Sequence, residues 1–172
     1  MKTHCLQACP AGSFSFMFIT YESPLGIIVI ESDGECITGL SFDDHPDVES
    51  TMTNIPVLKE ACRWLDVYFD GRDPGATPPI KTKGTPFQER IWHMLSQIPY
   101  GTTVTYGSIA KKISREDGRK MSAQAVGNAV GKNPIVIMVP CHRVIGSDGD
   151  LTGYAFGIGR KRCLLSLEGI DI

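Results

Sequence analysis

The chain has 172 residues, 42% of them hydrophobic, which suffices for one full core or for two small domains sharing an interface. The apolar run Phe14 to Ile19 is too short to span a bilayer and lacks the cleavage pattern of a secretory signal, so a soluble cytoplasmic protein with no membrane partner is expected. The formal net charge of −2 hides an asymmetry: residues 1–82 carry 5 Lys/Arg against 12 Asp/Glu, and residues 83–172 carry 12 against 7, so the second half is the one fitted to face a polyanion.

In chain order, His4, Cys5 and Cys9 come first. No second ligand pair follows at finger-like spacing, so no metal site is expected there. Phe14 to Tyr21, Gly26 to Ser32 and Cys36 to Phe42 are rich in Ile, Val, Phe and Thr, and Ser23-Pro24 and Asp33-Gly34 separate them. They predict a small antiparallel sheet. Val57, Leu58, Ala61, Leu65, Tyr68 and Phe69 recur at helical spacing, with Asn54 as the expected N-cap and Asp70-Gly71 as the stop. Glycines and prolines then crowd residues 71–84, and the charge sign changes there. This places the boundary between an N-terminal sheet-and-helix domain, 1–82, and a C-terminal domain, 83–172.

The second half reads as mainly helical. Thr85 caps a helix with Pro86 at its first position, and Glu89 lies close to the capping-box position. Phe87, Ile91, Leu95 and Ile98 form its buried stripe, and Pro99-Tyr100-Gly101 ends it. A second helix is expected from about Thr105 to Ile113 and a third from Ser122 to about Gly131. Together they make a helix-turn-helix candidate whose intervening loop, Ser114 to Lys120, is long and basic. Ile135 to Val139 reads as a short β-like run, and a last helix is expected from Arg160 to Glu168. The fold class is therefore α+β.

Cys141 is the residue of chemical interest. A free cysteine is most often a small buried hydrophobe. Here it follows Pro140 where an apolar run meets a loop, with His142 and Arg143 beside it and the Gly-rich stretch 146–159 after it. A neighbouring His or Arg lowers a thiol pKa, and the thiolate is the reactive form. In an extended segment adjacent side chains point to opposite faces, so whether His142 reaches Cys141 is left open. Glu168 alone reads as a surface carboxylate. Lys111, Lys112, Arg115, Arg119, Lys120 and Lys132 surround the helix-turn-helix, an arrangement suited to phosphate contacts.

The motif Pro140-Cys141-His142-Arg143-Val144, with Asn133-Pro134 upstream and Gly153-Tyr154 downstream, resembles the O6-alkylguanine-DNA alkyltransferases. The likeness runs from Gly84-Thr85-Pro86-Phe87-Gln88 to Glu168-Gly169 and, more loosely, through Ser23-Pro24-Leu25-Gly26. It implies a monomer that binds double-stranded DNA carrying O6-alkylguanine, and O4-alkylthymine as well. The recognition helix would enter the minor groove, with Ala123, Gln124, Ala125, Gly127, Asn128, Arg119 and Lys120 facing DNA. The damaged base would be flipped out, and its alkyl group moved once to Cys141 without any cofactor.

The resemblance further implies that His142 takes the thiol proton, Glu168 orients His142, and Tyr106 assists the leaving guanine. Asn133 would act as a hinge, and Val144, Tyr154, Ala155 and Phe156 would line the base pocket. Two departures stand out. Gln124 occupies a position where many members carry arginine, and Phe156 one where many carry glycine, which implies a preference for methyl over benzyl adducts. The rivals are a damage sensor, which would lack the acceptor cysteine; a Cys–His hydrolase or redox enzyme; and a DNA-binding regulator with a structural Cys141.

Overall fold

The structure, a computed structural model, describes residues 17–46 and 54–172. His4, Cys5, Cys9 and the start of the first expected strand lie outside the described residues. Strands β1 (Met17–Ser23), β2 (Gly26–Ser32) and β3 (Ile37–Phe42) form an antiparallel sheet in that order. Its turns are set by short side chains. Ser23 Oγ accepts from Leu25 N–H, and Asp33 Oδ1 accepts from the N–H groups of Glu35 and Cys36.

Helix α1 (Pro56–Phe69) buries Val57, Leu58, Ala61, Trp64, Leu65 and Tyr68. Its N-cap is Ile55, which has no side-chain bond, rather than Asn54. Pro56 lacks one of the N–H groups that a cap would satisfy, and Asn54 Oδ1 instead accepts from Lys59 Nζ at 2.7 Å.

The outer edge of β3 joins the two halves of the chain. Ile37 N–H donates to Pro79 C=O and its own carbonyl accepts from Lys81 N–H, while Leu40 exchanges the same pair of bonds with Pro134 and Val136. Part of the expected linker is thus a strand-like bridge, and one continuous core runs from Ile28 in β2 to Leu164 in the last helix.

Helix α2 (Pro86–Ser96) starts in a capping box of Thr85 with Gln88; Gln88, not Glu89, holds the third position. It buries Ile91, Trp92 and Leu95, and Trp92 Nε1 donates to Ala129 C=O at 3.0 Å. Strand β4 (Val104–Thr105) pairs in parallel with β5 (Val144–Ile145). Helix α3 (Tyr106–Asp117) is capped by Thr105 and runs a turn beyond Ile113, ending at Gly118 with φ +64°. The turn to α4 (Ala123–Val130), which Ser122 caps, is therefore short, in place of the long loop expected over Ser114 to Lys120. Arg90 on α2 holds the end of α3 through Glu116 and Asp117. That ion-pair partner lets the helix continue past its apolar face.

Residues 135–139 are a buried turn rather than a strand. Val139 N–H returns to Ile135 C=O at 2.9 Å, and only Ile135 bridges to the sheet, at Leu40. Ile137 sits at φ +69°, a costly conformation for a β-branched residue. The run is apolar because core surrounds it on all sides, and periodicity alone does not separate that case from a strand. Helix α5 (Ile158–Leu167) starts before Arg160, and Glu168 is its C-cap.

Candidate active site

The turn of residues 135–139 delivers Cys141 into a one-turn 3-10 helix, Cys141–Arg143, so the segment is not extended. Consecutive side chains fan out by about a third of a turn instead of alternating. All three residues are buried. Asn133 fixes the approach: its Nδ2 donates to Val139 C=O at 2.7 Å and its Oδ1 accepts from Ile135 N–H at 3.1 Å.

Burial pushes the Cys141 thiol pKa up. A hydrogen bond from Asn133, the nearby charge of Lys161 and the backbone N–H groups of residues 141 and 142 pull it partly back. The charge that faces the thiol is Lys161, not Arg143 as the sequence suggested.

Arg143 is turned toward Glu168. Its Nε lies 2.8 Å from Glu168 Oε2, its Nη2 3.0 Å from Oε1, and its Nη1 donates to Ile98 C=O at 2.6 Å. Glu168 also accepts from Tyr68 Oη at 2.8 Å and Gly101 N–H at 3.1 Å, and its Oε1 lies 2.7 Å from His142 Nε2. Burial alone would raise the Glu168 pKa, but the bonds from His142 and Arg143 outweigh it and hold the carboxyl at about 2.

That carboxylate only accepts, so Nε2 of His142 carries its proton. Burial depresses the His142 pKa and keeps the ring neutral. The lone pair is then on Nδ1, which is buried and has no hydrogen-bond partner among the described residues. A neutral imidazole, its free nitrogen unpaired and its other nitrogen held by an ionised carboxylate, is chemically a base.

Lys161 is fully buried and pairs with no carboxylate among the described residues. Its Nζ donates to the carbonyls of Val144 (2.6 Å) and Thr152 (3.1 Å) and lies 5.8 Å from the Tyr106 ring centroid. Burial lowers its pKa to about 8. The Tyr106 hydroxyl donates to Thr152 and Gly153 carbonyls at 3.2 and 3.4 Å.

Cys141 opens onto a cavity of about 10 Å3, lined among others by Asn133, Gly153, Tyr154, Ala155 and Phe156. Val144 is completely buried and its carbonyl is taken by Lys161. A larger cleft of about 750 Å3 reaches Pro140 and Arg143 but not Cys141.

On α4, Ala123, Gln124 and Asn128 are exposed, as are Arg119 and Lys120 in the turn before it. Ala125 and Gly127 are half-buried; a Cβ on Gly127 would make only ordinary contact with the Tyr106 ring, at 3.8 Å, so α4 lies directly against Tyr106 there. Tyr68 and Lys161 were not legible as site residues. Tyr68 looks like one more member of an apolar stripe, and Lys161 stands between Arg160 and Arg162 like a solvated charge. Among the described residues no cluster of three His, Cys, Asp or Glu could hold a metal, and no helix is long and apolar enough to cross a membrane.

Two family models match the chain: the ribonuclease-like domain of 6-O-methylguanine DNA methyltransferase over residues 17–81, and the DNA binding domain of the same family over residues 86–170. A methylated-DNA–protein-cysteine methyltransferase of Methanosarcina acetivorans is 42% identical over 158 residues, covering 88% of this chain and 97% of that protein. Its namesake from Haemophilus influenzae is 39% identical, covering 87% and 84%. Among solved structures, that of Mycobacterium tuberculosis OGT in complex with DNA superposes with a TM-score of 0.73 at 40% identity, covering 88% of this chain and 92% of that one. The chain belongs to the 6-O-methylguanine-DNA methyltransferase family, among the methylated-DNA–protein-cysteine methyltransferases.

Proposed function

We propose that this chain repairs DNA by moving the alkyl group of an O6-alkylguanine onto Cys141 Sγ, once per molecule. The observation that carries the reading is the buried thiol next in sequence to a neutral His142 whose Nδ1 has no partner among the described residues and whose Nε2 is held by Glu168. A buried thiol is protonated at rest and needs such a base. His142 Nδ1 takes the proton, through an intervening water; the sulfur attacks the alkyl carbon; the C–S bond forms as the C–O bond breaks. The guanine leaves with the bonding pair, and the Tyr106 hydroxyl supplies it with a hydrogen bond or proton. No cofactor takes part. The thioether is stable to water, so the protein is consumed.

Docking is assigned to α3, α4 and the turn between them, with the partner DNA a duplex carrying the damaged base. Arg119 and Lys120 meet phosphates, which position without reading sequence. Ala123, Ala125, Gly127 and Asn128 let α4 approach the minor groove, and Gln124 fills the gap left by the flipped base. The base enters the small cavity at Cys141 between Tyr154, Ala155 and Phe156, with Val144 beneath it. Asn133 couples α4 to Cys141 as a hinge. The two matched family segments support a division into domains 1–82 and 83–172. O4-alkylthymine is included as a second substrate, and the protein is taken to act as a cytoplasmic monomer, a compartment that suits the free thiols of Cys36, Cys62, Cys141 and Cys163.

Intact mass after incubation with an O6-methylguanine duplex tests the reading. One added methyl on the Cys141 peptide is expected, and Cys141→Ser should gain none while still binding. An unchanged mass with DNA bound would instead make the protein a sensor.

A further inference from the structure

The cavity at Cys141, of about 10 Å3, has room for no more than about one water and not for a purine, and residues 153–156 form one of its walls. That segment is pinned at two places. Tyr106 and Lys161 hold the carbonyls of Thr152 and Gly153. The other pin comes from the N-terminal sheet. Phe156 packs at 5.6 Å and 60° on Phe42, the last residue of β3, and at 6.0 Å on Tyr154. The Arg160 guanidinium lies over the Phe42 ring, 4.8 Å from its centroid. Arg160 Nε donates to Leu25 C=O at 2.9 Å, and its Nη2 pairs with Asp44. Gly26 makes room for this pair: a Cβ there would stand 2.8 Å from Asp44 Oδ1 and 2.9 Å from Arg160 Nη2.

We propose that Phe42, held in place by Arg160 and Asp44, sets the size of alkyl group that Cys141 accepts by fixing Phe156 at the pocket mouth. The inference rests on the alkyl-transfer reading above. A methyl adduct adds one carbon to the base, whereas a benzyl adduct adds a ring that must push Phe156 aside. Displacing Phe156 breaks its tilted contact with Phe42 and its edge-on contact with Tyr154, so the bulkier adduct meets the larger barrier. Specificity of the C-terminal site is then decided in part by a residue of the N-terminal half.

Single-turnover rates from O6-methylguanine and O6-benzylguanine duplexes test this in the full chain and in Phe42→Leu, Asp44→Ala and Phe156→Gly. Phe42→Leu should raise the benzyl-to-methyl rate ratio about fivefold, the rate equivalent of one aromatic contact. Asp44→Ala leaves the core intact and removes one of the anchors of Arg160, its bond to Leu25 C=O remaining; it should raise the ratio about twofold, as expected for a partly exposed ion pair. It decides alone if Phe42→Leu does not fold. Should Phe156→Gly raise the ratio while neither of the others moves it, Phe42 has no part and the proposal is overturned. Absence of any alkyl transfer from the unaltered protein would instead remove the function on which it rests.

Discussion

Glu168 is where the fate of a single residue is decided by its neighbours. It accepts five hydrogen bonds, from Tyr68, Gly101, His142 and twice from Arg143, inside the protein. Read alone, it is a carboxylate near a helix end. Cys141 and His142 were legible because they are adjacent in sequence, whereas Glu168 acquires meaning only from partners that lie up to a hundred positions away. Glu168→Gln keeps the shape and removes the charge. It should destabilise the fold by ~3 kcal/mol, because the buried Arg143 loses its counter-charge. Transfer by the folded fraction should slow ~100-fold, the usual worth of a positioned base. Denaturation midpoints and single-turnover rates separate the two effects. A variant that transfers at the unaltered rate would take Glu168 out of the proton path.

At the level of elements, the legible features are those carried by local side-chain chemistry. Thr85, Thr105 and Ser122 each accept a backbone N–H at a helix start; two of these, Thr85 and Ser122, were expected caps. The errors are equally physical. The α3 helix continues past its apolar face because Arg90, on another element, pairs with Glu116 and Asp117. The run at 135–139 bends because Asn133 and Leu40 take its backbone groups. Gly118 offers a clean check of how α3 stops. It lies at φ +64° and a Cβ there would touch nothing within 4 Å, so Gly118→Ala changes only backbone preference. The expected cost is ~1 kcal/mol in urea denaturation. A neutral result would mean that the turn into α4 is not held in the left-handed region.

For the whole molecule, buried titratable groups tie stability to pH. Glu168 titrates at about 2 in the fold against an ordinary 4.5, so its contribution is complete above about 4.5 and is lost as the pH falls toward 2. It amounts to on the order of 3 kcal/mol. The His142 pKa is depressed below 6.5, so the unfolded chain takes up a proton that the fold refuses, and stability also declines as the pH falls below 6.5. Lys161, at about 8 against 10.5, acts at the other end: its burial cost is relieved as the pH rises from 8 to 10.5. The urea midpoint at about pH 3 should therefore lie well below that at about pH 7, with the unfolded state binding the extra proton. A flat profile across that range would contradict a buried ionised Glu168.

Sequence by itself determined the three strands of the antiparallel sheet and most helix starts, and it singled out Cys141 and His142 as candidates, because these depend on residue type at short spacing. Tertiary structure decided the rest. Tyr68 and Lys161 met Cys141, His142 and Glu168, and the Phe42–Arg160–Asp44 set met Phe156, only when the edge of β3 accepted both the 79–81 and 134–136 segments and brought the halves into one core. What a buried charge or ring does depends on which distant groups replace the water it gave up, and local spacing carries no record of them.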